Sequence, residues 1–80
     1  MLHSMGFDED RSAALKRLGK NIRILRIERE IAQEELATLA GLHRTHMTKI
    51  ETGQSNPSFL TLCRIARALD APVAALLTKL

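Results

Sequence analysis

Residues 33–50, QEELATLAGLHRTHMTKI, leave this chain little choice of fold. Leu36, Leu39 and Ala40 recur at helical spacing, and so do Met47 and Ile50. Between the two groups stands Gly41, a residue that takes a positive φ without steric cost. The pattern predicts a helix over Gln33–Ala40 and a turn through Gly41, Leu42 and His43. A second helix then runs from Arg44 to about Thr52. Ala37 is small where the two helices cross closely. Arg44, Thr45, Thr48 and Lys49 fall off the apolar stripe, so the second helix presents cations and hydroxyls on its outer side.

A short, donor-rich helix propped on another is the geometry by which a helix-turn-helix enters a DNA major groove. Four segments follow in order: Gln33-Glu34-Glu35-Leu36-Ala37, Ala40-Gly41-Leu42, Ile50-Glu51-Thr52-Gly53 and Asn56-Pro57-Ser58. Together they resemble the phage repressor and Cro helix-turn-helix family, which includes the xenobiotic-response-element-type bacterial regulators. The resemblance covers about Leu15 to Leu77. It implies an all-α, five-helix bundle of the lambda-repressor-like DNA-binding type, with the helix-turn-helix at helices two and three. It also implies a sequence-specific transcriptional regulator that acts as a homodimer on a near-palindromic operator. Gly41-Leu42-His43-Arg44-Thr45, in so short a chain, is similar to the controller proteins of restriction–modification systems. A phage-type repressor, an antitoxin, and a protein-interaction module reusing the fold without DNA stand as alternatives.

The resemblance assigns roles residue by residue. Arg44, Thr45 and Lys49 match positions that reach base edges. Arg and Lys suit guanine O6 and N7, and Thr offers a hydroxyl or packs its methyl on thymine. Gln33 matches a residue that touches a DNA phosphate and braces the recognition helix. His43 holds the cap position and Thr48 a place beside a phosphate. Gln54, Ser55 and Asn56 precede helix four, where backbone N–H groups suit a second phosphate. Arg26 and Glu51 match a paired arginine and glutamate, expected as a partly buried ion pair.

Composition narrows the field further. Eighty residues make one domain, and a chain this size buries only about 60% of its unfolded surface. Apolar residues make up 45%, enough for a core, while the aromatics are Phe7 and Phe59 alone. The formal charge is +3, with Asp8, Glu9 and Asp10 clustered early. From Arg44 onward only Glu51 and Asp70 offset Arg44, Lys49, Arg64, Arg67 and Lys79. That asymmetry favours an anionic partner. The single cysteine, Cys63, permits no internal disulfide and fits a reducing cytoplasm. No stretch is long and apolar enough to span a bilayer. His43 and His46 stand i, i+3 but lack further ligands, so neither a metal nor another cofactor is expected. No small-molecule ligand is expected. No phosphate loop or nucleophile–base set supports an enzyme.

The remaining chain frames the motif. Residues 1–9 are expected as a flexible arm, with residues 10–80 forming the domain. Helix one is expected from about Asp10 or Ser12 to Arg29, with Leu15, Leu18, Ile22 and Leu25 as its core stripe. Gly19 interrupts it at a cost of about 1 kcal/mol that a close helix crossing repays. Ile24 and Ile27 lie off the stripe. At the next junction, Glu30 in a left-handed conformation costs about 1–2 kcal/mol, and Ala32 forfeits an N-cap worth about 1 kcal/mol. A shifted or frayed helix end is expected there. Gly53 is a natural stop for helix three. Ser58 caps helix four, whose apolar side carries Phe59, Leu62, Ile65, Ala66 and Leu69. Pro72 starts helix five, where Val73, Leu76, Leu77 and Leu80 recur at i, i+3, i+4 and i+7. These four are expected to close the core in part and to meet a second subunit in part.

Overall fold

The computed structural model describes residues 4–80, with side chains described for residues 9–80. Five helices follow in order: α1 (Ser4–Glu28), α2 (Gln33–Ala40), α3 (Arg44–Glu51), α4 (Phe59–Ala68) and α5 (Val73–Leu76). No strand occurs among the described residues. Helix α1 begins at Ser4 rather than at Asp10 or Ser12. Residues 4–10 hold no proline, so no residue there forbids helical backbone, although Gly6 is a weak helix former. The first residues of the expected arm, 1–3, lie outside the described residues.

One apolar core joins all five elements. Leu18 and Ile22 of α1 meet Leu36, Ala37 and Ala40 of α2 and Met47 and Ile50 of α3. Leu62, Ile65, Ala66, Leu69 and Leu76 close the other side. Leu15 and Leu25 pack against its margin, as their stripe positions require. Burying each large aliphatic side chain contributes about 1.5–3 kcal/mol, and this holds the short helices α2 and α3, which would be marginal alone.

Two apolar positions depart from the stripes expected for them. Leu39 is 57% exposed and Phe59 61% exposed. Leu36 and Ala40 already fill the buried side of the two-turn helix α2, so Leu39 falls past its edge. Phe59 sits on the first turn of α4, before the helix reaches the core.

The helix ends are closed by one device used four times. In the Schellman arrangement, one N–H reaches back five residues and the N–H before it reaches back three. Leu42 and Gly41 bond Ala37 and Thr38 at 2.8 and 3.1 Å; Gln54 and Gly53 bond Lys49 and Ile50 at 2.8 and 3.1 Å. Ile31 and Glu30 do the same to Arg26 and Ile27, and Ala71 and Asp70 to Ala66 and Arg67. Gly41 and Gly53 carry the positive φ in two of the four caps. Glu30 at φ 56° and Asp70 at φ 53° carry it in the others. Helix α1 is therefore neither shifted nor frayed at Glu30. Its end is held because Arg26 Nη1 also donates to the Ile31 carbonyl at 2.9 Å. Ala32 provides no side-chain cap to α2. Glu34 and Glu35 in its first turn supply favourable charge at that end instead.

Helix α5 is a single turn and stops at Leu76, short of the expected Leu80. Asn21 Nδ2 of α1 donates to the carbonyls of Leu76 and Thr78 at 2.9 and 2.8 Å, which pins the following residues as a turn. Leu76 is fully buried, so of the four residues expected at a subunit contact it belongs wholly to the core. Val73 is half-buried, while Leu77 and Leu80 are exposed.

Candidate nucleic-acid interface

Helix α3 buries Met47, Ile50 and Glu51, and leaves Arg44, Thr45, Thr48, Lys49 and Thr52 in solvent. Its start is set by His43, whose Nδ1 accepts from the Thr45 N–H at 3.1 Å. Its far end meets α1 in backbone contact. A Cβ placed on Gly19 would lie 2.5 Å from the carbonyl oxygens of Ile50 and Glu51, so only glycine admits this crossing.

A chain of polar bonds fixes α3 against its neighbours. Arg26 Nε and Nη2 donate to the two carboxylate oxygens of Glu51 at 2.7 and 3.1 Å. The side chains are 14% and 3% exposed, so the pair is largely shielded and its fork geometry fully used. Gln33 Nε2 donates to Glu51 Oε1 at 3.2 Å, and Gln33 Oε1 accepts from the Thr48 hydroxyl at 2.9 Å. Thr48 Oγ1 also lies 3.1 Å from the Arg44 carbonyl and shares its one proton between the two acceptors. Helices α1, α2 and α3 are thereby tied together by one network. It reaches the surface at Thr48 and leaves no buried side-chain polar atom unsatisfied among the described residues.

The expected contact residues fall in three groups. Arg44, Thr45 and Lys49 stand exposed along α3. Gln33 opens α2, His43 caps α3, and Thr48 lies one turn into α3, bonded to Gln33. Gln54, Ser55 and Asn56 lie beyond α3, where Ser55 Oγ stands 3.4 Å from His46 Nε2. The Gln54 N–H is consumed by the cap of α3. Ser58 accepts from Thr61 N at 3.1 Å, so the N–H groups of Phe59 and Leu60 at the start of α4 face outward without a helical partner.

Sequence reasoning overlooked one residue of this face. Glu34 Oε2 accepts from Arg44 Nη1 at 3.0 Å across the gap between α2 and α3. No periodicity pairs residues on two different helices, and only the tertiary fold brings them together. Among the described residues, no helix is long and apolar enough to cross a membrane.

The comparisons agree with this geometry. The helix-turn-helix family model matches residues 22–76. Control protein C.SmaI of Serratia marcescens is 39% identical over 62 residues, covering 78% of this chain and 74% of that protein. The immunity repressor protein of Bacillus phage phi105 is 39% identical over 59 residues, which cover 74% of this chain but 41% of the repressor. The crystal structure of the restriction-modification controller protein C.AhdI from Aeromonas hydrophila superposes with a TM-score of 0.79 at 38% identity. The match covers 80% of this chain and 97% of that one. The chain belongs to the helix-turn-helix family of phage-repressor-like transcriptional regulators.

Proposed function

We propose that this protein is a sequence-specific DNA-binding regulator of the restriction–modification controller type, acting in the cytoplasm as a homodimer on a near-palindromic operator. One observation carries the reading. Helix α3 is clamped on its inner side by Glu51, Gln33 and Arg26, while its outer side offers Arg44, Thr45 and Lys49 to solvent. A rigid helix with a donor-rich free face is what base-edge reading needs.

In this reading Arg44, Thr45 and Lys49 meet bases. Gln33, His43 and Thr48 hold the backbone near the start of α3, and Gln54, Ser55 and Asn56 hold it beyond the end of α3. Gln33 commits both ends of its amide to α3, so its phosphate contact comes from the N–H groups at the start of α2 and the remaining amide hydrogen. The second subunit meets Val73, Leu77 and Leu80. The two recognition helices then stand about 34–36 Å apart on successive major grooves. Selection from random duplex DNA tests the reading. A selected near-palindrome whose log affinity falls linearly with log salt supports it. No selected sequence, with salt-insensitive binding, rejects it in favour of a protein-interaction module.

A further inference from the structure

We propose that Glu34 is a specificity-determining residue of the recognition surface, positioning Arg44 and cancelling its charge toward DNA that lacks the right base. The inference rests on the DNA-binding reading above. Glu34 stands at the second position of α2 and Arg44 at the first position of α3, and their side chains meet at 3.0 Å. Both are open to solvent, at 71% and 65% exposure, so the contact does not serve the core. Its consequence lies on the outward face.

The geometry of the bond matters. Glu34 takes Nη1 alone, and this is the only side-chain bond of the Arg44 guanidinium among the described residues. The Nε–Nη2 edge stays free. That edge carries two parallel donors at the spacing that guanine O6 and N7 accept. Glu34 therefore holds one edge of the fork and leaves the reading edge presented. A flexible arginine otherwise loses rotamer freedom at the moment of binding; one already held loses less.

The carboxylate has a second effect. A free Arg44 would attract any phosphate and strengthen binding to every duplex alike. Paired with Glu34, it brings little net positive charge to a non-cognate site, and the carboxylate itself repels phosphate. Only a base that fills the Nε–Nη2 edge repays the approach. Specificity is a difference of affinities, and this arrangement lowers the wrong one. Glu35 provides the internal comparison: it is a neighbouring exposed carboxylate with no bond to Arg44.

The test uses the whole protein with its selected operator, a set of duplexes changed at single base pairs, and a random duplex of equal length. The variants are Glu34→Ala, Glu34→Gln, Glu35→Gln and, to mark the base pair that Arg44 reads, Arg44→Ala. Glu34→Ala is expected to bind the random duplex several-fold more tightly, with a log–log salt slope steeper by about one. It should lose most of the preference at the base pair that Arg44→Ala relaxes. Glu34→Gln keeps an acceptor for Nη1, so it should show the same gain on random DNA but retain more of the base preference. Glu35→Gln should change neither the preference nor its position. Unchanged preference in Glu34→Ala, or an equal effect from Glu35→Gln, overturns the inference while the parent's own selected operator still upholds the DNA-binding reading. A parent that selects no operator overturns both.

Discussion

Glu51 shows how one side chain couples stability to function. Its carboxylate accepts from Arg26 on α1 and from Gln33 on α2, while its own backbone lies in α3. Removing it strands the Arg26 guanidinium at 14% exposure, a loss of about 3–5 kcal/mol for a buried pair. In a domain of this size each kcal/mol moves the melting temperature by roughly 4–8 °C. Glu51→Ala should therefore melt more than 10 °C lower, by about the product of those two ranges; thermal denaturation followed by circular dichroism checks it. Arg44→Ala acts differently. It touches no core group, so the melting temperature should hold while preference at one base pair per half-site falls by about 1–3 kcal/mol. Affinities for single-base operator variants measure this. The Arg26–Glu51 pair was legible in the sequence because both residues stand at positions the family resemblance marks. The Glu34–Arg44 pair was not. Its partners lie on separate helices, and their meeting depends on the tight turn at Gly41 and on where each helix begins.

At the scale of elements, backbone contact decides more than helix preference. Alanine at Gly19 would improve the intrinsic helicity of α1 by about 1 kcal/mol, yet its Cβ would lie 2.5 Å from two carbonyl oxygens of α3. Backbone cannot give way as a side-chain tip can, and overpacking of this kind costs about 1–3 kcal/mol or more. Gly19→Ala should lower the melting temperature despite the gain in propensity; a rise would mean that α1 and α3 stand further apart. The caps at Glu30 and Asp70 offer the opposite sign. Both hold a left-handed conformation that costs an ordinary residue about 1–2 kcal/mol. Glycine relieves that strain and returns roughly 0.4–1 kcal/mol to the freer unfolded chain. Glu30→Gly and Asp70→Gly should each raise the melting temperature by a few degrees in the same thermal scan. The end of α2 and the start of α3 were readable because Gly41 and the cap position at His43 punctuate them. The start of α1 was not, since no proline or glycine pair marks where helix formation begins. The end of α5 was not either, because Asn21 of α1 sets it from a distance.

For the whole molecule, the question is which apolar surface serves the monomer and which a second copy. The i, i+3, i+4, i+7 spacing put Val73, Leu76, Leu77 and Leu80 on one stripe, but a single-turn helix divides them. Leu76 is fully enclosed with Ile22, Ile65 and Leu69 in the core. Leu77 and Leu80 remain 39% and 42% exposed, and Leu60 on α4 is 71% exposed. Helix α4 packs directly on α5, and Leu77 and Leu80 lie just beyond the end of α5. Scattered exposed leucines are ordinary, but several together on a small domain mark an association surface. The same substitution at two adjacent residues separates the roles. Leu76→Glu places a carboxylate in the core and should unfold the domain outright, as loss of the helical circular dichroism signal at room temperature. Leu77→Glu should leave the fold and its melting of the isolated subunit intact while shifting sedimentation at micromolar concentration from dimer to monomer. In the proposed dimer each half-site takes one subunit, so that variant should also bind a full operator no more tightly than a half operator. A Leu77→Glu protein that still sediments as a dimer and still prefers the full operator would move the subunit contact away from α5 altogether.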